Sequence, residues 1–302
     1  QNDQVRTWGI EAPSISPLVS IVGGGLPPGE YNGAIRYRAI DGRVSGAGGR
    51  FYAETSAVSS GIHIFGIPTV VGHYTDVFLN TPSGEVLYYV GSVPHGVTTF
   101  DINSMHSKVV PLDFEFVEPA QPMELMQIYR GRMYGARGNA LLYSEPHSYE
   151  HFHRSNFIQF DGEITNVMPV DDGIFVTADR LYFLEGREPA TFNVREREKY
   201  TSAKYTAVKI IGGDVVLENI PTGTKWLFTS DKGIVMVGTG GMVFNLTEKK
   251  VMVDDAEMGA AIFRSVNGIN QYLSVLKDPK SDRLHMGDTV TAEVIRNGIA
   301  IT

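Results

Sequence analysis

The sequence contains no cysteine, which excludes a disulfide framework, a thiolate metal site and a cysteine nucleophile. It also lacks any run of about 18 consecutive apolar residues, the minimum that a membrane-spanning helix requires. The opening stretch QNDQVRTWGIEAP has no basic region followed by an apolar segment. We therefore expect neither a secretory signal peptide nor stable membrane insertion.

An excess of positive charge is missing as well. The chain has 26 Lys and Arg against 34 Asp and Glu, a formal net charge of −8. Proteins that hold nucleic acid do so largely by neutralising phosphates with clustered Lys and Arg. The charge balance therefore argues against a nucleic-acid-binding protein.

Sequence signatures of common enzymes are absent too. The chain has no G-x-S-x-G nucleophile elbow, no H-E-x-x-H zinc motif and no G-x-x-x-x-G-K-[ST] phosphate loop. The segment Gly238-Thr239-Gly240-Gly241 is rich in glycine, but it joins two predicted strands and does not open a helix that would bind an anion. We interpret it as a hairpin turn.

The residues that are present predict an all-β protein. The 302 residues include 33 Gly and 15 Pro among abundant Val, Ile, Tyr, Phe and Thr, a composition typical of short strands joined by turns. No convincing helix longer than two or three turns is apparent. The length allows two domains, each with its own core.

Residues 119–302 repeat one pattern, in which a hydrophobic strand, a turn with glycine and a second strand follow one another. The turn glycines are 42, 60 and 35 residues apart, values that bracket the spacing of about 40 to 50 residues per propeller blade. We therefore predict a β-propeller-like domain of antiparallel meander repeats with about four blade-like units. A final hairpin around Asn297-Gly298 belongs to this region. The turn glycines are Gly131, Gly173, Gly233 and Gly268.

The second repeat shows why such units must stack. Ile174 to Thr177 and Leu181 to Leu184 are apolar with little alternation, which indicates strands that are buried on both faces. The preceding Asp172-Gly173 step predicts a tight turn with a positive φ at glycine. A sheet of this kind needs neighbours on both sides, and radial stacking of blades supplies them.

Residues 1–118 differ in the spacing of their predicted strands and turns. This spacing predicts an N-terminal β-sandwich of the fibronectin III or immunoglobulin-like type. About seven short strands fit there, separated by Pro-Ser-Gly and Pro-His-Gly turns. The boundary is placed in Glu118-Pro119-Ala120-Gln121-Pro122, because proline removes backbone donors. The predicted strands include residues 31–40, 61–67, 73–80, 85–90 and 98–102.

Histidines form the densest group of potential metal ligands. An H-x-H pair on a strand would place both imidazoles on one face. The aromatic neighbours and the lack of a well-spaced third ligand favour an ordinary loop, and we predict no metal site. The group comprises His147, His151 and His153 with Glu145 and Glu150.

Paired carboxylates, which a glycosidase needs, occur mainly at turn positions, where Asp has a structural role. We predict no catalytic residue and no cofactor. The candidates weighed are Asp171, Asp172, Glu185, Glu188, Asp254, Asp255 and Glu257.

The basic residues alternate with acidic or apolar ones, which favours an ion-paired edge or a protein interface over nucleic-acid contact. They are Arg130, Arg132, Arg137, Arg195, Arg197 and Lys199. The tyrosines within predicted strands favour a core role over sugar stacking. They are Tyr88, Tyr89, Tyr134, Tyr143 and Tyr182.

Several segments resemble virion proteins of tailed bacteriophages, in particular tail components of short-tailed phages. These segments are TWGIEAP (7–13), LPPGEYNGAIRYRAIDGRVSGAG (26–48), GRMYGARGNALLYSEP (131–146), PVDDGIFVTADRLYFLEG (169–186) and TAEVIRN (291–297). The resemblance implies a β-propeller nozzle, or tail-tube, protein: a structural virion component made in the host cytoplasm, with no enzymatic activity. Such a protein forms a homo-oligomeric ring below the head-to-tail adaptor, contacts tail fibre or spike proteins, and lets genomic DNA pass without specific binding.

Two other classes stay open from the sequence. A receptor-binding or glycan-binding tail adhesin would use exposed aromatics and Asp or Asn at loop tips. A propeller glycoside hydrolase would place two carboxylates about 5 to 9.5 Å apart in a central pocket.

Overall fold

The computed structural model describes residues 8–104, 110–210, 222–247, 253, 256–266 and 269–277, together with the backbone of the strands at 289–295 and 298–301. Within these residues the protein is all-β, as predicted from the composition. The described residues contain one short 3₁₀ helix, Pro189–Thr191, and 25 strands.

The strands of the first half follow closely on one another. They are β1 (Leu18–Leu26), β2 (Gly29–Ala39), β3 (Gly48–Thr55), β4 (Ser60–Phe65), β5 (His73–Leu79), β6 (Tyr88–Pro94), β7 (Thr99–Ile102), β8 (Val117–Glu118), β9 (Glu124–Tyr129), β10 (Arg132–Arg137), β11 (Ala140–Tyr143), β12 (Phe152–His153) and β13 (Phe157–Gln159).

The strands of the second half are equally short. They are β14 (Asn166–Val170), β15 (Gly173–Thr177), β16 (Leu181–Glu185), β17 (Asn193–Glu196), β18 (Val208–Ile210), β19 (Lys225–Ser230), β20 (Gly233–Gly238), β21 (Met242–Asn245), β22 (Met258–Val266), β23 (Ile269–Lys277), β24 (Thr289–Ile295) and β25 (Gly298–Ile301).

The chain divides into two compact units. The first unit comprises the described residues up to Gln121 together with Ser144–Asn156, and the second comprises Pro122–Tyr143 and the described residues from Phe157 onward. The sequence analysis drew its boundary between residues 118 and 119 and left Ser144–Asn156 in the second domain. The segment Ser144–Asn156 belongs to the first unit because its strand β12 pairs with β8. Phe152 lies opposite Glu118, and His153 lies opposite Val117.

Two antiparallel sheets in the first unit share one apolar core. One sheet has the order β1-β4-β7 and the other has the order β3-β2-β5-β6. Ile62 and Ile64 of the first sheet lie in the same buried cluster as Tyr31, Ile35 and Val77 of the second. Alternate residues of β3 are buried and exposed, as expected for a strand with one face on a core.

The second unit is a series of four-stranded antiparallel sheets, and three of the four are built from consecutive strands. Meander 1 has the order β13-β11-β10-β9, because β12 belongs to the first unit. Meander 2 contains β14 to β17, meander 3 contains β18 to β21, and meander 4 contains β22 to β25.

Two-residue turns close one hairpin in each of meanders 1 to 3. The predicted positive φ is present at Gly131 and at Gly233, which is the first residue of β20 with a φ of 109°, and it is absent at Gly173. Arg130 and Gly131 form the turn in meander 1, both with positive φ, of 49° and 75°. In meander 2 the turn is Asp171-Asp172, and Gly173 is the first residue of β15 without a positive φ. A Cβ on Gly173 would lie 2.4 Å from the Leu184 carbonyl oxygen, so close backbone approach explains this glycine. Gly268 lies outside the described residues.

Neighbouring meanders pack face to face. Alternate side chains of one strand point to opposite faces of a sheet. Ile174 and Val176 of β15 pack with Tyr134 and Leu141 of meander 1. Phe175, between them in the sequence, packs with meander 3.

The same arrangement repeats at the next sheet. Phe228 and Val235 of meander 3 face meander 2, while Leu227 and Ile234 face Tyr272 of meander 4. All residues of β14, β15, β19 and β20 are buried. The prediction that the second repeat has strands buried on both faces is therefore confirmed.

Truncation of Phe175 tests this packing. Phe175 is fully buried, and its ring lies 4.5 Å from that of Phe183, its cross-strand partner. We expect Phe175→Ala to lower the free energy of unfolding by about 3 to 5 kcal/mol, because the neighbouring sheets cannot collapse around the missing ring. Val194→Ala, at an exposed position of the same meander, should change it by less than about 0.5 kcal/mol. Denaturant unfolding of both variants measures the difference, and equal effects would contradict the packing.

Candidate functional site

The four meanders meet at Lys204, which lies just before β18. Its ammonium group contacts Glu124 of β9 at 2.8 Å and donates to Glu163, just before β14, at 2.7 Å. Its backbone N–H donates to the carbonyl of Glu257 at 3.2 Å, at the start of β22. We call Lys204, Glu124, Glu163, Tyr205 and Glu257 the Lys204 hub.

The hub lies where the first strand of each meander begins. β9 contacts β14, and β18 contacts β22, so these edge strands adjoin in pairs. Lys204 also forms a parallel bridge with Met258, and the Gly259 N–H donates to the Lys204 carbonyl at 2.8 Å. One side chain and its backbone therefore connect segments from all four sheets.

The charges of the hub stabilise one another. Burial opposes the charge of Lys204, but hydrogen bonds to Glu124 and Glu163 outweigh it and raise the pKa of Lys204. Hydrogen bonds from Lys204 and Tyr205 lower the pKa of Glu124. The Tyr205 hydroxyl donates to Glu124, and this bond raises the pKa of Tyr205. The ammonium stays protonated at neutral pH and serves as an ion-pair partner and not as a base.

A buried hydrogen-bond network continues from the hub into the stack. Asn166 is fully buried, and its amide donates to the Ser202 hydroxyl at 2.9 Å and to the Ala203 carbonyl at 3.2 Å. Ser202 in turn donates to Thr177 at 2.7 Å. The pairings satisfy polar groups that would otherwise be costly to bury.

The network extends to meander 4. Thr206 donates to the Ala203 carbonyl at 2.7 Å, and the Tyr272 hydroxyl donates to the Thr206 carbonyl at 2.8 Å. The hydroxyl of Thr229 lies 3.0 Å from that of Tyr272. Buried polar contacts therefore join meanders 2, 3 and 4 beside the hub.

The Asp171-Asp172 turn is a second connection between sheets. Asp171 accepts hydrogen bonds from the Thr224 hydroxyl at 2.8 Å and from the Thr239 hydroxyl at 3.1 Å. Asp172 accepts from the Gly240 N–H at 2.8 Å. The hydrogen bond from Thr224 is the main cause of a lowered pKa at Asp171. Both carboxylates therefore bind turn residues of meander 3. The sequence alone predicts for them a role only in the turn of their own hairpin.

The histidine candidates have structural contacts within the first unit. His151 is buried and stacks on Phe114, with ring centroids 4.5 Å apart. Its Nε2 donates to the Val44 carbonyl at 2.8 Å, so Nδ1 accepts from Ser148 at 2.6 Å. The Nδ1 of His153 lies 2.7 Å from the Ser155 hydroxyl. Among the described residues, no group of three or more His, Asp or Glu side chains is placed to hold a metal ion.

Arginines pair with the carboxylates of the repeats. Arg132 contacts Glu188 at 3.3 Å, and Arg195 contacts Glu185 at 2.5 Å. The Arg130 guanidinium donates to the Asp171 carbonyl at 2.7 Å. These contacts agree with the interpretation of an ion-paired edge. Asp254 and Asp255 lie outside the described residues.

The glycine-rich candidate is a turn between strands. Gly238 pairs with Met242, so residues 239–241 form the connection between β20 and β21. Gly240 and Gly241 have positive φ, and a Cβ on Gly241 would lie 2.1 Å from the Arg197 guanidinium. Arg197 lies over the Phe183 ring at 5.6 Å. The lack of a side chain at Gly241 leaves room for the Arg197 guanidinium. Arg197, which follows β17, therefore contacts the turn of meander 3.

A comparison of the sequence with protein-family models finds no match, and neither does a comparison with curated proteins. Within the part of the chain that the structure describes, no helix is long and apolar enough to cross a lipid bilayer.

The lowered pKa of Glu124 predicts a pH dependence of stability. Its folded pKa lies below the ordinary value of 4.5, so its contribution is present above the ordinary pKa and is lost as the pH falls through the folded one. We expect Glu124→Gln to reduce the loss of unfolding free energy across this acidic range.

Glu85→Gln, at an exposed carboxylate of the first unit, is the matched control. Denaturant unfolding at a series of acidic pH values compares wild type with both variants. Identical pH profiles for wild type and Glu124→Gln would contradict the pairing with Lys204.

Proposed function

We propose that the protein is a structural component of a bacteriophage tail, a nozzle or tail-tube ring subunit that forms the conduit for DNA ejection into the host. The observation that carries this proposal is the stack of four consecutive meanders whose first strands adjoin at the Lys204 hub. Sequential blades with first strands gathered together are the layout of a β-propeller. The resemblance to nozzle proteins of short-tailed phages points to the same architecture.

In this proposal the two units have different tasks. The first unit, with two sheets around one core, is a β-sandwich of the fibronectin III or immunoglobulin-like type that docks to the head-to-tail adaptor and to tail fibre or spike proteins. The second unit, a propeller-like module, forms the wall. The protein is made in the host cytoplasm and assembles into the virion as a homo-oligomeric ring.

Dense packing suits a wall. Meanders 2 and 3 are buried on both faces, and close-packed interiors resist deformation. A wall built this way keeps its bore open while DNA passes. No chemical step is required of any side chain.

Charge supports passage without binding. The net charge of −8 repels DNA phosphates, and Arg130, Arg132 and Arg195 of the repeats contact carboxylates or a carbonyl. Affinity for DNA would require free cations that neutralise phosphates. Pairing of these three arginines within the chain lowers the positive charge that they offer to a moving duplex.

Binding measurements with duplex DNA test this part of the proposal. We expect no saturable binding of the purified chain at physiological salt, measured by fluorescence anisotropy. Salt-sensitive binding with a steep slope would indicate a DNA-binding protein and would contradict a passive conduit.

A receptor-binding tail adhesin is the second candidate, and one observation favours it. Ile40 is 79% exposed and Val71 is 76% exposed, on loops that the pairing of Ala39 with His73 places side by side. Exposed apolar loop tips are typical of contact surfaces. An adhesin should bind glycans or cell-surface material in isolation.

Electron microscopy of phage particles with antibody labels against this chain separates the two. A ring of label on the tail axis supports the nozzle. Label at fibre tips, with glycan binding by the purified chain, would replace it with the adhesin.

A further inference from the structure

Within the part of the second unit that the structure describes, the first meander has a face with exposed apolar side chains that no other meander covers. Tyr134 and Leu141 point toward meander 2, so the alternating positions point the opposite way. On this outer face Ile128 is 56% exposed and Phe157 is 45% exposed, and Phe157 pairs with Leu142 across strands. We call Met126, Ile128, Leu142 and Phe157 the leading face.

The fourth meander has a corresponding bare face. Tyr272, Ala261 and Phe263 pack toward meander 3, so the intervening residues point away from it. Ile262 is 58% exposed and pairs with Leu273 across strands. We call Ala260, Ile262, Leu273 and Val275 the trailing face.

The two faces are the unmatched halves of a contact that the chain makes three times internally. Meander 1 packs one face against meander 2, meander 2 packs its opposite face against meander 3, and meander 3 does the same with meander 4. Among the described residues, no sheet precedes the leading face and none follows the trailing face. Stacked repeats that remain separate molecules normally carry polar outer faces on their terminal units. On the trailing side Arg264 and Gln271 provide polar groups, but exposed Ile262 lies beside them.

We propose that the trailing face of one copy packs against the leading face of a second copy, so that the stack continues from subunit to subunit. Such a contact is heterologous, with different surfaces on the two partners, and it closes into a ring when the rotation per subunit divides a full turn. The ring rests on the proposed function, whereas the pairing of these faces stands on the exposed residues alone.

The size of the faces sets the expected strength. Four strands at their usual spacing and about six residues of length give a projected face of roughly 400 Å². A stable interface buries about 800 Å² on each partner. A single contact between these faces is therefore weak, and assembly should depend on protein concentration until a ring closes.

Charged substitutions on each face test the pairing. Sedimentation velocity of the purified full chain should show concentration-dependent association. Ile128→Lys, on the leading face, and Ile262→Lys, on the trailing face, should each leave only monomers, because a desolvated lysine opposes the apolar contact. Val58→Lys, at an exposed loop position of the first unit, is the matched control and should associate like wild type. Thermal unfolding checks that all three variants fold.

A mixture of the two face variants gives the sharpest result. Each variant retains one intact face, so an equimolar mixture should form dimers and nothing larger. Association of either variant alone, or a wild type that is monomeric at every concentration, would overturn the proposal. So would a mixture that stays monomeric at concentrations where the wild type forms dimers. Rings on the tail axis that persist with both substitutions would refute this interface while leaving the nozzle assignment intact.

Discussion

Burial of both faces of the same sheet is the constraint on which the second unit depends. Ile174 and Phe175 are neighbours in the sequence, yet they pack against different sheets. A four-stranded meander with two apolar faces is not stable alone in water, because each face needs a partner. The sheets therefore form as a stack, and removing one would expose apolar surface on its neighbours.

Polar contacts determine how the sheets are aligned within that stack. Apolar burial is not directional, so it brings two faces together without fixing their rotation. The amide of Asn166 and the ammonium of Lys204 each have few partners within reach, and their hydrogen bonds are satisfied in one arrangement. Asp171 adds a third constraint through Thr224 and Thr239. The hub and the network thus fix the rotation of one stacked sheet relative to the next.

These properties connect the fold to the proposed tail function. A conduit needs a stiff wall, a surface that does not hold phosphate, and a means of repeating around an axis. Sheets buried on both faces make the wall stiff, and the excess of acidic residues gives a surface that does not hold phosphate. The unmatched outer faces, with Ile128 at one end and Ile262 at the other, allow the subunits to repeat around an axis when copies continue the stack.

The sequence by itself determined the all-β class, the repeats and the burial of the second repeat on both faces, because these depend on local composition and on the period of apolar residues. It did not determine that Ser144–Asn156 joins the first unit, which depends on strand pairing across more than 30 residues. Nor did it reveal the Lys204 hub, since Glu124 and Glu163 lie far from Lys204 in the chain and are ordinary charged residues before strands. Only the tertiary structure brought them together, because the stacking of sheets decides which strand ends are neighbours.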